Sequence, residues 1–107
     1  MTIVIDECLP KRLIHFFSDH TAWTVPQMDL AGYKDRELLN ILDEKGIDVF
    51  ITIDGNIEYQ QQFADRKFGT IIIRSVSNRF EDLERYRKEL CRIVNIIKAG
   101  EIVHIPF

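Results

Sequence analysis

Apolar positions along this chain follow two alternating patterns. Short unbroken apolar runs of strand length recur, and between them apolar residues return every third or fourth position. Residues 2–6 read as a buried strand. Pro10 then opens a helix whose Leu13, Ile14, Phe16 and Phe17 form an apolar stripe. A second short strand follows over 21–25, and 26–34 is a connection containing Gly32. The spacing of Leu38, Leu39, Ile41 and Leu42 predicts a helix over 35–45, stopped by Gly46. Residues 49–53 form a third strand, which Gly55-Asn56 breaks, and a short helix is predicted over 57–66. The run 70–73 lacks polar alternation and so reads as a strand covered on both faces. The longest predicted helix spans 79–99, with Leu83, Tyr86, Leu90, Ile93, Val94 and Ile97 inward. Its Glu81/Arg85 and Glu84/Lys88 are spaced to pair on the wet face. Gly100 ends it, and 102–105 makes a last strand.

Strand and helix alternating throughout predict an α/β fold of three layers. A mostly parallel sheet of about five strands would carry helices on both faces. No repeat, low-complexity tract or linker divides the chain, so residues 1–107 are read as a single domain.

Two of the strands deliver an aspartate at their ends. Asp6 closes Ile3-Val4-Ile5, and Asp54 follows Phe50-Ile51-Thr52-Ile53. In an open parallel sheet the ligand crevice lies at the carboxyl ends of the strands. Two acids arriving there repel, and a hard cation, Mg²⁺ or Mn²⁺ for an all-oxygen site, relieves that repulsion. Asp35 and Glu37 add acids in the first turn of the second helix, where they also favour the helix dipole and Asp35 reads equally as a cap. Thr52 shares the face of Asp54 two residues back. Asn56 reads equally as a helix N-cap or a neutral metal ligand, and Glu58 lies beyond it.

Composition narrows the picture only where it bears on partners. At 46% hydrophobic and 29% charged residues the chain is ordinary for a globular domain, and a net charge of −3 argues against avid non-specific nucleic-acid binding. An enzyme that holds one phosphodiester at an acidic metal site remains compatible with that charge. No apolar run approaches a membrane span, no signal peptide is visible, and two cysteines without zinc spacing fit a reducing, cytoplasmic setting. His15, His20 and His104 lack ligand spacing. Cys8, beside acids that raise a thiol pKa, is a poor nucleophile.

At these residues the chain resembles the PIN-domain nucleases, in particular the short PIN-like proteins that open on an apolar run and D-E-N-L-P. Here that signature reads Ile3-Val4-Ile5-Asp6-Glu7-Cys8-Leu9-Pro10. The family's middle block is similar to Asp29-Leu30-Ala31-Gly32 followed by Asp35-Arg36-Glu37-Leu38. Its T-x-D-x-D motif is matched by Thr52-Ile53-Asp54-Gly55-Asn56, and its strand ending in arginine by Gly69-Thr70-Ile71-Ile72-Ile73-Arg74. The resemblance spans nearly the whole chain in order. It implies a Rossmann-like PIN fold and a Mg²⁺- or Mn²⁺-dependent endoribonuclease acting on RNA. It also implies the toxin of a bacterial toxin–antitoxin pair, with a cognate antitoxin protein as partner.

Carried over, the resemblance assigns Asp6, Glu37 and Asp54 as catalytic acids. Asp6, Asp35, Glu37, Asp54 and Asn56 would supply the metal ligands, with the choice between Asp35 and Glu37 open. Thr52 would be the hydroxyl neighbour of the acids and a substrate contact. By position Arg74 and Lys11 could contact phosphates, though Arg74 reads equally as a salt-bridge partner of a cluster acid and Lys11 as a solvated residue at a helix start. The long helix offers a face for a homodimer. Two positions depart from the family: Cys8 stands for its asparagine and Asn56 for its second aspartate. Losing that charge weakens Mg²⁺ binding. The competing reading is therefore a catalytically degenerate PIN-like module that binds a protein or RNA. A phosphatase using the same strand-end acids is a third.

Overall fold

The computed structural model describes residues 1–106. Five strands, β1 (Thr2–Ile5), β2 (Thr21–Thr24), β3 (Val49–Thr52), β4 (Gly69–Ile73) and β5 (Ile102–Ile105), form one sheet in the order β2-β1-β3-β4-β5. Every pairing is parallel. The helices are α1 (Asp35–Lys45), α2 (Ile57–Gln60), α3 (Phe80–Leu83) and α4 (Arg87–Val94), with 3₁₀ turns at Lys11–Phe17, Pro26–Met28 and Glu84–Tyr86.

Side-chain parity along the strands divides the core in two. Ile3, Ile5, Val49, Ile51, Ile71 and Ile73 face one layer, packed on Leu13, Phe16, Phe17, Leu83, Leu90 and Ile93. Val4, Phe50 and Ile72 face the other, packed on Leu38, Leu39, Leu42, Ile57, Phe63 and Phe68. Burial on both faces is why the central strands read as continuous apolar runs. The chain thus has the three-layer, Rossmann-like α/β architecture expected of it. Trp23, on the edge strand β2, stands 44% exposed, whereas Phe50, Phe63 and Phe68 are core residues.

Three helices differ from expectation. The segment after Pro10 is 3₁₀ rather than α: it has neither a capping side chain nor an acid in its first turn. Its Ile, His and Phe residues are also weak α-formers. The helix expected over 57–66 stops at Gln60, and Gln61 is extended (φ −130°, ψ 154°). Ile57 and Phe63 are both buried, yet six residues on an α-helix would set them about 120° apart, and leaving the helix lets the chain bury both.

The helix expected over 79–99 is split by the turn at Glu84–Tyr86 and ends at Val94. Asn95 donates its side-chain amide to the Cys91 carbonyl at 2.8 Å, a local bond that competes with helix propagation. The 3₁₀ turn also removes the alignment of the two expected ion pairs. Among the described residues neither forms, and Glu81 meets Arg79 instead at 3.7 Å. On the same layer Arg12 lies over Phe80 at 4.1 Å, Phe80 packs on Phe16 at 5.5 Å, and Arg87 lies 5.2 Å from Phe16.

Candidate functional site

The strand order reverses between β1 and β3, because β1 is followed outward by β2 whereas β3 leads on to β4 and β5. The crevice outside the carboxyl ends of these two strands is the usual ligand position in such sheets. Ile5 pairs with Ile51, so the next residues, Asp6 and Thr52, come side by side. Val4 and Phe50 share a core layer with α1. By strand parity Asp6, Thr52 and Asp54 are directed to that same layer.

Thr52 is fully buried. Its hydroxyl donates to Asp6 Oδ2 at 2.7 Å and accepts the Asp54 backbone N–H at 3.1 Å. Asp6 Oδ1 accepts the Glu7 N–H at 2.8 Å, and the Asp6 carbonyl accepts the Leu9 N–H at 3.0 Å, closing the turn after β1. The Cys8 thiol lies 3.5 Å from Asp6 Oδ2 and 3.7 Å from Thr52 Oγ1. Burial pushes that thiol up and the Asp6 charge adds to it, against a backbone hydrogen bond at Ile53 that lowers it. Cys8 is therefore held as a neutral thiol and is a poor nucleophile. Asn78 ties the loop after β4 to this turn, its amide donating to the Cys8 carbonyl at 3.0 Å.

Asp54 organises the start of α2. Its Oδ1 accepts the Asn56 N–H at 3.0 Å and its carbonyl accepts the Ile57 N–H at 3.3 Å. Asn56 occupies the cap position but makes no side-chain cap and is exposed. Glu58, which follows, is turned away to His104 on β5, 2.7 Å from its Nε2.

Of the two first-turn acids on α1, the structure brings Asp35 to the strand ends. Its carboxyl is held above the ordinary range by burial, then by the charges of Asp54 and Asp6. Lys34, not Asp35, holds the cap position of α1. Glu37 is exposed and lines a shallow pocket with Ala31, Gly32, Tyr33 and Lys34.

The residues expected on substrate are spread around this corner. Arg74 is exposed just after β4, and among the described residues it forms no ion pair. Lys11 is exposed too, beside a cavity of about 330 Å³ shared with Glu7, Leu9, Thr24, Pro26 and Gln27. Thr52, buried and hydrogen-bonded on both sides, joins the two aspartates and has no free surface for substrate. Asn78 and the glutamine run 60–62, which lines a separate polar groove, carry no motif that marks them in the sequence.

The donors fit a hard divalent cation in kind, being all oxygen and mutually repulsive. They are not drawn together as a finished cage: among the described residues no three His, Cys, Asp or Glu side chains converge closely enough to hold an ion. Asp6 and Asp54 are fixed in place, while Asp35 is near enough to be felt. Comparison with protein-family models, curated proteins and solved structures returned no match. No helix among the described residues is long and apolar enough to cross a membrane.

Proposed function

We propose that this protein is a divalent-metal-dependent endoribonuclease, acting as the toxin of a toxin–antitoxin pair. The observation that carries the nuclease reading is the joining of Asp6 and the Asp54 backbone through one buried hydroxyl, that of Thr52, at the carboxyl ends of β1 and β3, where the strand order reverses. Asp35, at the start of α1, is the third acid: burial first, then the charges of Asp54 and Asp6, holds its carboxyl above the ordinary range. The motif series from Asp6 to Arg74 adds RNA as substrate, and an antitoxin protein as partner follows from the same resemblance.

In this reading Asp6 and Asp54 hold one Mg²⁺ or Mn²⁺ ion, with Asp35 as the third acid. Once bound, such an ion polarises a phosphoryl oxygen and lowers the pKa of a coordinated water. The chain's own part is positional. Thr52 fixes Asp6 and the Asp54 backbone against one buried oxygen, the Asn56 N–H orients the Asp54 carboxylate, and Arg74 and Lys11 supply exposed cations for flanking phosphates.

A second reading has its own support. The solvent-facing Asn56 and the absence of a converged group of three ligands among the described residues favour a module that keeps the fold and binds RNA or protein without cleaving it. Incubating a mixed RNA pool and a generic phosphomonoester with the protein, in Mn²⁺, Mg²⁺ or EDTA, separates the classes. The nuclease reading predicts internal RNA cleavage in either metal, none in EDTA, and an untouched monoester. RNA left intact in both metals by folded protein supports the module, and release of phosphate from the monoester alone supports a phosphatase.

A further inference from the structure

Between α1 and the segment that continues from α2 lies a groove of about 510 Å³ lined by Arg36, Asn40, Gln60, Gln61, Gln62 and Arg66. Every lining side chain is an amide or a guanidinium. Asp43, which meets the groove's Arg66, is already paired: it accepts from Arg66 Nη1 at 2.8 Å and from the Lys67 N–H at 2.9 Å. Arg66 Nη1 also donates to Asn40 Oδ1 at 2.7 Å, which turns the Asn40 amide group outward as a donor. Among the described residues the side chains of Gln60, Gln61 and Gln62 form no hydrogen bond, and Gln60 and Gln62 are exposed.

The walls of the groove are built from α1 and α2, the elements that also border the acidic corner. Arg36 follows Asp35 in the first turn of α1, and α2, which ends at Gln60, begins three residues after Asp54. A primary amide offers a donor and an acceptor side by side, the pattern that matches the edge of a nucleobase. Unpaired RNA bases are read in this way, on edges left open by the absence of a partner strand. A volume of this size suits a nucleotide, and a lining without carboxylates does not repel its phosphate.

We infer that this groove is a base-reading subsite: it takes an unpaired nucleobase of single-stranded RNA, with Arg36 on the adjoining phosphate. Its use beside a cleaved bond rests on the proposed nuclease function, whereas its capacity to bind a base does not. A phosphate-only anion site and a protein-docking site are the outcomes that would displace it.

The test uses the whole protein in EDTA, so that metal-dependent cleavage is silent, with four labelled RNA hexamers of A, C, G or U followed by fluorescence anisotropy. The wild type is expected to prefer one hexamer by about fivefold or more, as one good bidentate amide–base pair would give. The exposed double substitution Gln60→Ala/Gln62→Ala should erase that preference and leave the unfolding midpoint unchanged. Arg36→Ala should weaken all four hexamers alike and reduce the salt dependence. No binding, equal binding of the four, a preference that survives the double substitution, or competition by inorganic phosphate at the hexamer's own affinity would each overturn the inference. A base preference in a protein that never cleaves RNA would remove the nuclease reading and leave the groove. Cleavage whose base preference ignores Gln60 and Gln62 would do the reverse.

Discussion

The Thr52 hydroxyl donates to Asp6 Oδ2 at 2.7 Å from a fully buried position, so the end of β1 is bolted to the end of β3 by one oxygen. The same oxygen accepts the Asp54 N–H at 3.1 Å. One side chain therefore sets the separation of the two acids that the sheet presents. The pairing of Ile5 with Ile51 makes this possible, because it leaves Asp6 and Thr52 as neighbours at the point where the strands stop.

Replacing Thr52 by Val keeps its shape and removes that oxygen. The Asp54 N–H then loses its acceptor and Asp6 loses a donor, a change expected to cost about 1–3 kcal/mol in urea unfolding. RNA cleavage should fall at least about tenfold. Thr52→Ser keeps the hydroxyl and should retain most of the activity while losing about 1 kcal/mol of packing. Equal activity in the Val and Ser variants would show that the hydroxyl does not position the acids.

Asp35 makes the metal-free protein sensitive to pH. Its carboxyl is held above the usual range in the folded state by burial and by Asp54 and Asp6, so the folded chain keeps that proton more tightly than the unfolded one. The stability it contributes is complete below the ordinary carboxylate pKa and is lost as pH rises through the raised value. In EDTA, Asp35→Asn should therefore flatten the fall in stability above about pH 4. At pH 7 it should raise stability by roughly half a kcal/mol or less, given solvent screening. Adding Mn²⁺ should stabilise the wild type more than Asp35→Asn. Urea midpoints from pH 4 to 8 with and without the ion check both statements.

Glu58 belongs to the fold rather than to the acidic corner. Its carboxylate meets His104 Nε2 at 2.7 Å and ties α2 to the edge strand β5. Glu58→Gln should lower stability by about 1 kcal/mol or less and leave the rate of RNA cleavage within about twofold of wild type. A loss of activity far larger than the loss of stability would place Glu58 in the site.

Gly100 accepts no side chain. It adopts φ +84°, and an added Cβ would meet the Ala64 carbonyl oxygen at 2.6 Å. Gly100→Ala combines left-handed strain with a backbone collision and should cost about 2 kcal/mol or more. Gly46→Ala, at φ +70° with open space around it, should cost less. Thermal or urea unfolding of the two variants gives the comparison.

The layering of the fold was legible because each central strand is apolar on both faces, and parity within the third strand already put Thr52 and Asp54 on one face; that Asp6 joins them depends on the register of Ile5 with Ile51. Other features depend on contacts between distant residues. The choice of Asp35 over Glu37 depends on how α1 is rotated against the sheet, which its own stripe does not fix relative to β1 and β3. The capture of Glu58 by His104 joins positions 46 residues apart. The break after Gln60 follows from the need to bury both Ile57 and Phe63. The structure also gives Thr52 a role other than substrate contact, because its hydroxyl is consumed inside the corner.

The most direct measurement is cleavage of a mixed RNA pool in Mn²⁺ and in Mg²⁺ by the wild type and by Asp6→Asn, with Glu58→Gln as a folded control. Metal-dependent cleavage is expected of the wild type and the control, with a loss of at least about a hundredfold in Asp6→Asn (about 2.7 kcal/mol of barrier) and its fold intact. Equal cleavage by Asp6→Asn and the wild type, or no cleavage by any of the three correctly folded proteins, would contradict that expectation.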